Sequence, residues 1–156
     1  MKKLMTIMVL YMSSLSVLAG DVQDKLQSGV VKKVSPYNVA ETMDKFEAIV
    51  KKKGFGVFAR IDHKKNAQSV DMELNDAQLL IFGNPKGGTI LMKQDISIAL
   101  DLPLRVAVYK GTDDKVYIAY HDPVAMTAIY ALEGNKVIPK VSKGLDKLTS
   151  AAIAKK

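Results

Sequence analysis

The sequence predicts an α+β domain with a mostly antiparallel sheet and helices packed on one face. Three observations carry the prediction. Apolar residues Val39, Met43, Phe46, Ile49 and Val50 recur at helical spacing. Short β-prone runs alternate with helical segments along the chain. Two alternating runs, Leu104–Tyr109 and Val116–Tyr120, flank turn residues at Gly111–Asp114, which is hairpin chemistry and argues against an all-parallel sheet.

In chain order, Gly29–Val34 is a β-prone run closed by Ser35-Pro36. Asn38 and Glu41 form an Asn-x-x-Glu capping pattern for the helix that follows. Lys51–Lys53 complement that helix's C-terminal dipole, and Gly54 lies just beyond. Phe55, Val57, Phe58 and Ile61 predict a second strand ending at Asp62-His63, and the polar stretch to Val70 predicts a short helix. Leu79–Phe82 is an uninterrupted apolar run, the pattern of a central strand. Gly83-Asn84-Pro85 and a Gly-rich turn follow, and an amphipathic segment of one or two short helices begins near Thr89. Asp122-Pro123 is an N-cap with proline at the first helical position, predicting a helix over Val124–Leu132. Gly134-Asn135 is a turn, and Leu145, Leu148, Ala152 and Ile153 predict a final amphipathic helix.

The ends and the composition bound the setting. Lys2-Lys3, the mainly apolar Leu4–Val17 and the small-x-small triplet Val17-Leu18-Ala19 predict a secretory signal peptide over residues 1–19. The run is short for a membrane span, so no stable membrane insertion is expected after cleavage. Residues 20–156 are then a single domain in the periplasm. Loss of Lys2 and Lys3 lowers the formal charge from +7 to +5. The chain has no Cys, which excludes disulfides, thiol catalysis and thiolate metal sites. Its lysines fall in short clusters at element ends, and export removes nucleic acid as a partner.

A resemblance then becomes legible. Asp62-His63 with Asn66-Ala67, Glu73-Leu74, Leu79–Gly88 with Met92, Leu100–Leu104, and Tyr120 with Asp122-Pro123 together resemble a widespread bacterial family known only as domain of unknown function number 302. The resemblance extends over about 29–132. It implies a compact α+β domain of TATA-binding-protein-like topology, often homodimeric, and implies no activity. His121 stands where the family pattern leads one to expect Asn, and Val124–Leu132 lacks the expected Arg-His pair.

No residue pattern names a reaction or a cofactor. Gly83–Thr89 lacks the Gly-x4-Gly-Lys-Ser/Thr order of a phosphate loop, because Lys86 precedes the glycine pair. Its glycines have two readings: backbone N–H groups offered to an anion with Lys86 and Thr89 beside them, or a tight turn needing positive φ. The leading expectation is an exported binding or accessory module that holds a small molecule or anion at His63, Asn84, Lys86, Gly87, Gly88 and Thr89. One alternative is a metal- or haem-binding protein using His63, with His121, Met92 and Met126 as further candidate ligands. The other is an enzyme with His63 as general base.

Overall fold

The computed structural model describes residues 29–155. The fold below is that of the compact unit Val31–Lys156, with Val30 as the first residue of its first strand. The expected signal peptide over residues 1–19 lies outside the described residues. Among them no helix is long and apolar enough to cross a membrane.

The elements are β1 (Val30–Ser35), α1 (Val39–Lys52), β2 (Gly56–Asp62), α2 (His63–Gln68), β3 (Ala77–Gly83), α3 (Pro85–Gln94), a 3₁₀ turn (Ile96–Leu100), β4 (Leu104–Lys110), β5 (Val116–His121), a second 3₁₀ turn (Pro123–Ala128) and α4 (Ile138–Ile153). The five strands lie in the order β1-β5-β4-β3-β2. The pairs β2–β3, β3–β4 and β4–β5 are antiparallel. β1 and β2 therefore occupy opposite edges, and α1 carries the chain across between them. The expected α+β class is the one observed, with α1 and α4 against the same sheet face.

α1 forms where its cap and stripe predict. Asn38 Oδ1 accepts from Glu41 N at 2.8 Å. Gly54, at φ +80°, takes the left-handed conformation that ends the helix cheaply only in glycine. Met43, Phe46 and Val50 are fully buried against Leu80, Phe82, Val106, Val108 and Ile118. Burying each large apolar side chain contributes roughly 1.5–3 kcal/mol. Phe82 anchors this core, with the rings of Phe46 and Phe55 edge-on to it at 5.4 and 5.8 Å.

β1 is held to α4 by Lys33, whose Nζ donates to Asp146 Oδ1 at 2.7 Å, to Thr149 Oγ1 and to Ser150 Oγ at 2.9 Å. The one buried polar pair in this layer, Ser35 Oγ and Thr42 Oγ1, lies at 2.7 Å and is mutually satisfied.

Three boundaries differ from the sequence expectation. α3 begins at Pro85, so the predicted Gly-rich turn is helix. Asn84 is the N-cap and Pro85 sits in the first turn, a start signal that the glycines masked. The predicted helix Val124–Leu132 is a 3₁₀ turn ending at Ala128. Ala131 N donates to Asp95 Oδ2 at 3.0 Å rather than to a carbonyl of its own helix. α4 starts at Ile138, ahead of the Leu145 stripe, because Asn135 Oδ1 accepts from Val137 N at 2.8 Å and from Ile138 N at 3.4 Å.

Candidate functional site

The strand register separates the sequence-predicted residues. β2 and β3 pair Gly56 with Gly83 and Asp62 with Gln78. Asp62-His63 and Asn84 thus leave opposite ends of the sheet, separated by five residues of β3, or about 17 Å. His63 is the exposed first residue of α2 and has no hydrogen-bond or ion-pair partner among the described residues. Asp62 Oδ1 caps that helix by accepting from Lys65 N at 3.0 Å. His121 ends β5 at the Leu104 end of the sheet, and so lies remote from His63. No group of three His, Cys, Asp or Glu among the described residues could hold a metal ion.

The Gly83 end holds a partly open, largely apolar pocket of about 500 Å³ between the end of the sheet, α3 and α4. Asn84, Gly87, Gly88 and Thr89 line it, whereas Lys86 and His63 do not. Its walls are apolar, with Phe58, Leu91, Met92 and Leu102 from one side and Val141 and Leu148 from α4. Leu91, Met126 and Ile138, buried in a second apolar cluster with Ile98, Tyr130 and Leu132, also line it.

Charge in the lining comes from one residue. Lys140 on α4 is its sole ionisable side chain, and no ion-pair or hydrogen-bond partner exists for it among the described residues. Lys140, Gly144 and Leu148 follow each other at four-residue spacing, so they form one row along the helix.

The backbone amides of the Gly-rich stretch are already engaged. Asn84 Oδ1 accepts from Lys86 N at 3.0 Å and from Gly87 N at 3.4 Å, and Gly88 N donates to Asn84 O at 3.0 Å. Neither reading of these glycines from sequence describes the geometry. The amides are occupied, and neither Gly87 nor Gly88 has positive φ.

The remaining polar residues of the family-like motifs tie the scaffold together. Asp122 Oδ1 caps the second 3₁₀ turn through Val124 N at 3.0 Å. Asp101 accepts from Arg105 Nη2 at 2.8 Å and from Tyr130 Oη at 2.6 Å, and that bond holds the Tyr130 phenol above its ordinary pKa. The Asp95 carboxyl is held below its usual range by the Ser97 hydroxyl first, then by the amides of Ala131 and Ser97. These bonds fix the segments that border the cavity.

A wider depression of about 810 Å³ lies beside the β4–β5 hairpin. Two of its rings and two of its charges are engaged with one another, with Tyr109 and Tyr117 5.7 Å apart between centroids. Tyr117 donates to Asp113 Oδ2 at 2.6 Å, and Lys32 Nζ lies 4.3 Å from the Tyr117 ring centroid. The apolar pocket at the Gly83 end is less open to solvent and more apolar in its lining, and is the better-built site.

Sequence reading missed Phe58, Lys140 and Gly144. A signal existed for the last: a glycine in the middle of an amphipathic helix weakens it and asks for a reason.

Comparison with known proteins adds the following. Residues 31–154 match the model of the family described as Domain of unknown function DUF302. The chain is 36% identical over 107 residues, 69% of its length, to a protein named Fluoride-specific ion channel FluC 1 from Brucella suis biovar 1, of which the match covers 42%. A protein of the same name from Brucella abortus biovar 1 matches at 36% identity over 40% of its length. The chain therefore spans less than half of these relatives. A crystal structure of an uncharacterized conserved protein DUF302 from Bacillus stearothermophilus superposes with a TM-score of 0.65 at 16% identity, covering 81% of this chain and 96% of that one. That likeness shows the shared fold.

Proposed function

The chain belongs to the DUF302 family, whose function is unknown, and from that premise we propose that it is an exported binding module that holds a small, largely apolar molecule in the cavity beside Gly83–Thr89. The observation that carries the reading is the cavity itself. Its volume of about 500 Å³ lies in the range typical of small-molecule sites, roughly 300–1,000 Å³. An apolar ligand gains there by leaving water, and the few polar groups at the rim orient it. Export rests on Lys2-Lys3, the apolar run after them and Val17-Leu18-Ala19.

Binding is favoured over acid–base chemistry because His63 stands exposed with nothing to orient it, about a sheet's length from the cavity. The channel names of the Brucella relatives belong to longer proteins and supply no activity here.

The test is titration with a neutral fluorescent apolar probe, N-phenyl-1-naphthylamine. Saturable binding to one site per chain is expected, lost in Gly144→Phe at unchanged circular dichroism. Equal binding by Gly144→Phe would reject the cavity as the site.

A further inference from the structure

We infer that the occupant is a single-chain anionic amphiphile, its tail against bare surfaces of α3 and α4 and its head group at Lys140. The inference rests on the cavity reading above and goes further by naming the ligand class.

The first support is where the glycines are. Gly87 and Gly88 lie within α3 and Gly144 lies within α4, and all three line the cavity. Glycine in a helix interior is less favourable than alanine by about 1 kcal/mol. That cost falls fully on Gly144 in the middle of α4 and less on Gly87 and Gly88 in the first turn of α3. The usual reasons for glycine are missing. None of the three has positive φ. A Cβ at Gly87 or Gly144 would meet no atom within 4 Å, and one at Gly88 would make only ordinary contacts, with Leu102 Cδ1 at 3.8 Å and Met92 Cε at 3.9 Å. The protein alone would accept a side chain at each position. All three positions border the pocket, so the bare backbone there leaves it wider than any side chain would.

The second support is charge. The lining carries no carboxylate, and Lys140 is its one cation, unpaired. A cationic ligand would find no partner, whereas an anionic head would meet an exposed, unpaired lysine at the rim.

The third support is order along the helix. Lys140, Gly144 and Leu148 give a row that reads cation, gap, apolar. Successive members lie about 5–6 Å apart. This polarity matches a molecule with a charged end and a hydrocarbon body lying along α4, over the glycine.

The test is displacement of N-phenyl-1-naphthylamine from the mature protein by octanoate, decanoate, decanol and decyltrimethylammonium below their micelle concentrations. Decanoate is expected to bind roughly fifteenfold tighter than octanoate, from about fourfold per buried methylene. Lys140→Gln is expected to weaken decanoate about fivefold, the most an exposed ion pair commonly gives, with decanol unchanged. Gly144→Leu should abolish binding of the probe itself, so that no amphiphile can be read against it. If Lys140→Gln leaves decanoate unchanged, or if the ammonium competes as well as the carboxylate, the anionic-head inference falls while the apolar cavity stands. If the probe does not bind at all, both fall together.

Discussion

The main core and the cavity end follow opposite rules within one small domain. Between the sheet and α1, large side chains interlock until Met43, Phe46, Val50, Leu80 and Phe82 have no exposed surface. Between α3 and α4, the helices present glycine where a side chain would fit, and space is left. The first arrangement maximises dispersion and apolar burial. The second gives up helix propensity and packing together. A chain under selection for stability alone would fill the gap, and the proposed binding site is the region where the gap is kept.

The contrast can be broken or sharpened by substitution. The largest effect is expected from Phe46→Ala, which removes a fully buried ring packed on Phe82. It should cost about 3–5 kcal/mol in urea unfolding, and a smaller loss would mean that the main core is not close-packed. Next comes the alkaline limb of stability. Burial first, with the Asp146 charge adding to it, pushes the Tyr120 phenol up to about 12. A raised pKa contributes stability that is fully present below the unfolded value near 10 and is lost as pH rises through 12. Tyr120→Phe should flatten that decline, worth roughly 2 kcal/mol, without touching probe binding.

A pair of substitutions at the cavity end should have opposite signs. Asn84→Ala removes the α3 cap and should cost about 1 kcal/mol. Gly144→Ala should add about 0.5–1 kcal/mol while weakening the probe, and thermal unfolding with a parallel titration separates the two effects. The smallest effect is expected at the far end of the sheet. His63→Ala should move stability by less than about 0.5 kcal/mol and leave cavity binding unchanged. A large loss of binding there would overturn the division drawn here.

Much of the fold was legible because its signals are local. The Asn38 cap, the stripe from Val39 to Val50 and the alternation on either side of Gly111–Asp114 each reside in a dozen residues or fewer. Their structural outcomes are α1 and the β4–β5 hairpin. The start of α3 was misread because glycine carries two meanings in a sequence, turn and bare helix face, and only packing tells them apart. The site was half legible for a different reason. Asn84, Gly87, Gly88 and Thr89 were named from one continuous stretch and do line the cavity. Lys140 and Gly144 are more than fifty residues away and reach it through α4 alone. His63 was drawn in by its neighbours Asp62 and Asn66, yet Asp62 works as a helix cap. Polar motif residues here mostly cap the starts of helices and 3₁₀ turns, which is a common use of Asp and Asn.

Lys33 and the irregular register between Val57 and Ala59 have a consequence beyond holding strands in place. β1 and β2 are the two sheet edges, and an open edge is a template on which another chain can add a strand. On β1 a charged side chain is turned inward onto α4, and on β2 the ladder loses its regular repeat. Both edges are thereby blunted against fibre-like growth.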